Sequence, residues 1–148
     1  MSKPLQVPFA ATLHVKDACL CLHAQRAARA LARRFDEAFR RFAITSGQFS
    51  LLMSLNRPEP PTIGSVAGLL AMDRTTLTAN LKPLERRGLL TVSIDPGDRR
   101  SRRLALTSVG MALLTRALPV WTQTHADIEA GLPAGGGDAL RAGLLALA

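Results

Sequence analysis

The chain has no tyrosine, one tryptophan and five phenylalanines in 148 residues. That scarcity argues against a single-strand nucleic-acid binder built on aromatic stacking platforms. Cys19 and Cys21 are its two cysteines, too few for a disulfide framework and in keeping with a reducing compartment. No stretch approaches the roughly 20 apolar residues of a membrane span. The opening MSKPLQVPFA lacks the apolar core of a secretion signal, so a cytoplasmic protein without a membrane partner is expected. A glycine-rich phosphate loop, paired carboxylates in catalytic company and a metal triad are also missing. That pattern disfavours an enzyme and implies neither cofactor nor metal.

What is present is apolar enough for a core and unevenly basic. Hydrophobic residues make up 47% of the chain, which excludes a disordered tail. The length suits one domain, or a small domain with an oligomerising extension. The net charge is +8. Residues 73–103 hold eight Lys/Arg against four Asp/Glu, whereas residues 107–148 hold two against three. The positive charge therefore belongs to one part of the molecule, as a binding surface would require.

Residues 72–106 organise the rest. From Leu77, the positions Leu81, Leu84 and Gly88 follow at i+4, i+7 and i+11, one narrow helical face. Thr75, Ala79, Lys82 and Arg86 fall opposite, flanked by Thr76 and Thr78. Hydroxyls, a methyl group and two cations suit base edges and phosphates in a major groove. Asp73 is a plausible N-cap, and the helix start that it marks can receive a phosphate. Pro83 predicts a kink or an early end, and Gly88 a sharp stop. The period then becomes two: Leu90, Val92 and Ile94 share one strand face, Asp95-Pro96-Gly97-Asp98 is a turn, and Leu104 and Leu106 mark a return strand. Arg99, Arg100, Arg102 and Arg103 crowd the tip, an arrangement that makes sense beside a polyanion.

The remaining segments read as helices. Residues 1–12 read as an irregular arm. A long helix is expected from Asp17 to Phe42, striped by Leu20, Ala24, Ala27, Leu31, Phe35, Ala38 and Phe42. Thr45 and Gln48 form a capping box. Thr62 caps a further helix carrying Ile63, Val66, Ala67 and Leu70, which Met72-Asp73 joins tightly to the next one. That pair and the ribbon after it make a winged helix-turn-helix. Beyond Thr107, a helix carries Leu114, Leu118, Trp121, His125, Ile128 and Leu132 as a coiled-coil-like seam, with a bend expected at Pro119. After the break at Pro133–Gly137, Asp138 is the expected cap of a last short helix. The fold expected is mostly α with a small two-stranded β wing. A winged core at about 45–106 is flanked by dimerisation helices at about 13–42 and 107–148, all within one domain spanning 13–148. Striped terminal helices are hard to bury in one subunit, so a homodimer is inferred.

The sequence resembles the MarR family of dimeric winged-helix transcription regulators over about residues 17–132. The most specific match is to the family's wing motif D-x-R-x-x-R, at Asp98, Arg100 and Arg103. Thr107 to Gly110 with Leu113-Leu114, Ile44-Thr45 to Gln48-Phe49, and Leu84 to Leu89 also fit. The resemblance implies a regulator of double-stranded operator DNA, with the helix at Asp73–Arg87 in the major groove and a wing arginine in the minor groove. It further implies that Asp98 holds Arg103 while Arg99 or Arg100 reaches the DNA. Ala79 departs from the family, in which many members carry a cation near that place. The candidate DNA-binding residues are thus Thr62, Asp73, Arg74, Thr75, Thr76, Thr78, Ala79, Asn80, Lys82, Arg86, Asp98, Arg99, Arg100, Arg102 and Arg103.

The resemblance also implies a small aromatic or anionic effector bound between the terminal helices and the core, near parts of 18–35, 45–56 and 107–121. Its release of the regulator from DNA would make the protein a repressor. His23, Arg26 and Trp121 are candidate contributors. Cys21 falls where the organic-peroxide-sensing branch keeps its reactive cysteine, but the tyrosines that surround it there are replaced by Phe35 and Ser46. Cys19 and His23 share a helix face and Cys21 points about 200° away, so the three cannot close on one metal ion from an unbroken helix. A winged-helix module whose basic face binds an acidic protein is the alternative from another class.

Overall fold

The computed structural model describes residues 5–148. Its order is α1 (Phe9–Ala18), α2 (Leu20–Ala38), a 3-10 turn (Arg40–Phe42), α3 (Ser46–Ser54), α4 (Ile63–Leu69) and α5 (Arg74–Arg86). The wing strands β1 (Leu90–Ile94) and β2 (Arg102–Leu106) follow, then α6 (Ser108–Ala130) and α7 (Gly136–Leu145). The mostly helical fold with one antiparallel ribbon agrees with the expectation. Leu90 faces Leu106, Val92 faces Leu104 and Ile94 faces Arg102.

Local chemistry sets most of the helix starts. Thr45 and Gln48 form the expected capping box, the threonine hydroxyl accepting from Gln48 N and the Gln48 side chain from Thr45 N. Thr62 accepts from Ser65 N at 3.1 Å, Asp73 from Thr76 N at 2.8 Å, and Thr107 from Gly110 N at 3.0 Å. Gly88 ends α5 at φ +72°, a conformation that a side chain disfavours. Between α4 and α5 the chain turns through Ala71 at φ +51°, and Met72 N donates to Ala67 O at 2.9 Å.

Several elements depart from the sequence reading. The arm expected at 1–12 is helical from Phe9, and its first four residues lie outside the described residues. The long helix expected from Asp17 to Phe42 breaks at Cys19, which takes extended dihedrals. Cys19 closes α1 through its N–H to Val15 O and caps α2 by accepting from Leu22 N. At its far end α2 stops at Ala38. Arg87, which follows the last residue of α5, donates to Phe42 O at 3.2 Å and Ala43 O at 2.6 Å, satisfying carbonyls at the end of the 3-10 turn. Pro83 and Pro119 lie inside α5 and α6 without ending either. The carbonyls they deprive belong to the exposed Ala79 and Thr115, where water is available. Asp138 sits in the first turn of α7, where it pairs with Arg141, while Gly135 takes the cap position.

The core lies in the winged half. Leu77, Leu81 and Leu84 of α5 pack with Phe39, Phe49, Leu52, Val66, Leu90, Leu104, Leu114 and Ala117, all nearly or fully buried. Each fully buried leucine contributes about 1.5–3 kcal/mol. By contrast α1, α2 and α7 contain no buried residue.

Gly110 makes the closest approach in this core. A Cβ there would lie 2.0 Å from Leu89 O, a rigid backbone atom. Gly110→Ala should therefore cost at least about 2 kcal/mol through forced displacement of α6. The exposed Gly68 has nothing within 4 Å of its Cβ position, and Gly68→Ala should stabilise by about 0.5–1 kcal/mol. Urea unfolding midpoints of both variants check the pair.

Candidate nucleic-acid interface

The buried leucine stripe of α5 leaves its other side to solvent. Thr75, Thr76, Thr78, Ala79, Asn80, Lys82 and Arg86 are all exposed. Their hydroxyls are not equivalent. Thr76 Oγ1 donates to Asp73 Oδ2 at 2.7 Å, and Thr78 Oγ1 donates to Arg74 O at 2.8 Å. Each keeps acceptor capacity only. Thr75 has no such bond, so its hydroxyl can both donate and accept. The backbone and hydroxyl bonds from Thr76 hold the Asp73 carboxyl below its ordinary value of 3.8, keeping the cap ionised. Asn80 Nδ2 leans on Met72 Sδ at 3.6 Å. The Arg74 guanidinium lies over α4, where a Cβ on Gly64 would meet Nη2 at 2.8 Å.

The wing is fixed differently from the expectation. Arg103 does not pair with Asp98. Its Nε lies 3.3 Å from Asp95 Oδ2, and its Nη1 donates to Pro60 O at 2.7 Å. The register explains this. Ser93 faces Arg103, so Asp95, two residues on and on the same face, is the diagonal neighbour of Arg103. Asp95 is buried, and its other oxygen accepts from Gly97 N at 2.9 Å, closing the turn. Asp98 instead accepts from Arg100 N at 2.9 Å. Arg102 folds back on the carbonyls of Arg99 and Ser101. The side chains of Arg99 and Arg100 are exposed and form no hydrogen bond or ion pair among the described residues.

Loop 60–62 ties this ribbon to the body. Leu104 N donates to Pro61 O at 2.9 Å, and Thr62 forms an isolated bridge with Arg103. Thr62 is thus a cap and a wing contact at once. Sequence reasoning missed Asp95, Pro60 and Pro61 because their roles depend on hairpin register and on a distant loop. The signal for Asp95 was its diagonal place in the pairing.

The candidate effector and redox residues do not converge. Trp121 lines a cavity of about 390 Å³ with Phe49, Met53 and Leu118. His23 lies in another between α2 and α7, its Nδ1 2.7 Å from Cys19 O. Arg26 stands on an open basic strip with Arg29 and Arg33. Cys21 is exposed, and Gln25 Nε2 donates to its Sγ at 3.2 Å. Among the described residues no three His, Cys, Asp or Glu side chains gather as a metal site would need, and no helix is long and apolar enough to cross a membrane.

An exposed polar helix braced by α4 and followed by an arginine-tipped ribbon defines the winged helix-turn-helix class. The MarR family model matches residues 44–101. The MosR transcriptional regulator of M. tuberculosis, solved in complex with DNA, is 34% identical over 87% of this chain and 92% of its own, with a TM-score of 0.80. PecS of Dickeya dadantii, an HTH-type transcriptional regulator, is 30% identical over 65% of this chain and 60% of PecS, so the chain spans less than two thirds of that relative. The organic hydroperoxide resistance regulator of Bacillus subtilis is 29% identical over 68% of this chain and 69% of its own. The chain belongs to the MarR family of transcription regulators, which act by binding DNA and not as enzymes.

The Asp95 anchor yields a test. Asp95→Ala should loosen Arg103 and lower affinity for a duplex carrying the bound sequence by about tenfold, the effect of about 1.4 kcal/mol. Asp98→Ala should change it by less than about threefold. Fluorescence anisotropy with one labelled duplex compares the two.

Proposed function

We propose that the chain is a homodimeric regulator that binds specific double-stranded operators and is released as a repressor by a small effector. The observation carrying the DNA reading is the division of the wing arginines: Arg103 is anchored on Asp95 and Pro60 while Arg99 and Arg100 stand free. Free guanidinium groups on a rigid ribbon suit a narrow minor groove. Thr75, Ala79 and Asn80 would then read base edges, with Thr76 and Thr78 offering acceptors. Lys82, Arg86 and Arg74 would lie toward phosphates, and the start of α5 at Asp73 would approach the backbone.

Binding to an upstream duplex, one that spans the region upstream of the protein's own gene, and to a scrambled duplex, across a salt series, tests this. The native protein should prefer the upstream duplex with a steep salt slope. Arg99→Ala/Arg100→Ala should weaken both and flatten the slope by about four, two for each protomer of the dimer, while keeping the preference. Equal weak binding to both duplexes, with tight binding to an acidic protein instead, would favour an interaction module.

The homodimer rests on the terminal helices. Phe9, Leu13, Leu20, Leu140 and Leu144 are large, apolar and exposed, surface that water disfavours, and Leu20, Leu140 and Leu144 line one open cavity between α2 and α7. Sedimentation equilibrium should give twice the chain mass of 15.9 kDa, and a monomer at micromolar concentration would refute the dimer.

A further inference from the structure

We infer that Met72 is a site of reversible sulfoxidation by hydrogen peroxide, and that its sulfoxide withdraws Asn80 from DNA. The inference rests on the DNA reading above and adds a chemical control to it. Met72 stands in the turn between α4 and α5, after Ala71 at φ +51° and before the Asp73 cap. Its half-buried side chain packs on the core and lines a crevice of about 180 Å³ with Thr45, Gln48, Leu51 and Asn80. A molecule as small as hydrogen peroxide fits that space. The crevice holds one poorly matched donor. Thr45 and Gln48 are engaged in their capping box. Asn80 Nδ2 has one acceptor among the described residues, Met72 Sδ at 3.6 Å, and a thioether accepts weakly.

Oxidation changes that acceptor. The sulfur lone pair attacks one oxygen of the peroxide, and the O–O bond breaks. The other oxygen takes the proton of the first and leaves as water. Sulfur loses two electrons and the peroxide gains them. The product is uncharged, polar and enzymatically reducible. Its oxygen is a strong acceptor beside an amide already turned toward the sulfur. Asparagine reads adenine through both ends of its amide, and N7 of the base needs the Nδ2 donor. A thioether yields that donor to the base, whereas a sulfoxide competes for it. The loss therefore falls on sequence preference and leaves the phosphate contacts in place.

The test uses the full chain carrying Cys19→Ser/Cys21→Ser, so that no thiol responds. Serine can still cap α2 at position 19. Asn56 and Asn80 are the two asparagines of the chain, and Asn80→Ala assigns the Asn80 side-chain amide in an NMR spectrum. Hydrogen peroxide should move that amide downfield in this parent and not in Met72→Leu. It should lower affinity for the upstream duplex at least about tenfold with the salt slope unchanged. The two stereospecific methionine sulfoxide reductases should restore both signals. Met72→Leu should bind within about threefold of the parent and keep its affinity in peroxide. Met111→Leu, at an exposed methionine of α6, should respond as the parent does. Met72→Gln, a neutral polar mimic, should bind as weakly as the oxidised parent without any peroxide, which keeps a test should Met72→Leu fail to fold. An Asn80 amide that stays in place once Met72 is oxidised, or a Met72→Leu protein that still releases DNA in peroxide, would overturn the inference. A parent that prefers neither duplex before oxidation would sink the DNA reading instead, and the amide shift would still decide whether Met72 controls Asn80.

Discussion

One buried carboxylate decides what the wing can offer. Asp95 receives Arg103 on one oxygen and Gly97 N on the other, and Arg103 continues to Pro60 O. This chain of contacts joins the turn of the ribbon, its return strand and the loop before α4. A charge-assisted bond to a buried carboxylate is worth more than an exposed pair and holds its geometry better. With Arg103 so engaged, and Arg102 folded onto local carbonyls, the outward charge of the tip falls to Arg99 and Arg100. The ribbon then stands in a fixed place relative to α5, because the same loop ends in the Thr62 cap of the helix that braces α5.

The two halves of the chain obey different constraints. In the winged half, leucines from α5, the ribbon and α6 meet in a closed core, and Gly110 lets α6 approach the Leu89 carbonyl. Thr107 strengthens that junction by donating to Gly88 O while it caps α6. The terminal helices lack this closure. Their stripes line open cavities between α2, α6 and α7 instead of filling them, which is the pattern expected of a surface completed by a second chain.

Much of this was legible in the sequence because the governing interactions are local. Caps at Thr45, Thr62, Asp73 and Thr107 act over three residues, and the Leu77–Leu81–Leu84 stripe needs only helical geometry. The exposed polar side of α5 followed from the same periodicity. What escaped was set at a distance or by weak local signals. The break at Cys19 carries neither glycine nor proline, and the apolar spacing runs straight through it. The turn that follows α2 is held by Arg87, 44 residues from Ala43. The wing motif pointed to the wrong carboxylate because two aspartates stand three residues apart, and only the strand register selects between them. The early end that Pro83 allowed for does not occur, because the exposed carbonyl of Ala79 tolerates the lost bond.

The most direct measurement is dimethyl sulfate footprinting, which reads guanine N7 in the major groove and adenine N3 in the minor groove, of an operator duplex bound by the native protein and by variants of the wing. The account predicts major-groove protection flanked by minor-groove protection. The flanking protection should vanish in Arg99→Ala/Arg100→Ala while the central protection persists. In Arg103→Ala it should become diffuse, since the ribbon has lost its anchor. Flanking protection that survives loss of Arg99 and Arg100 but disappears cleanly with Arg103 would contradict the account, because Arg103 would then be the inserted side chain and not the anchor.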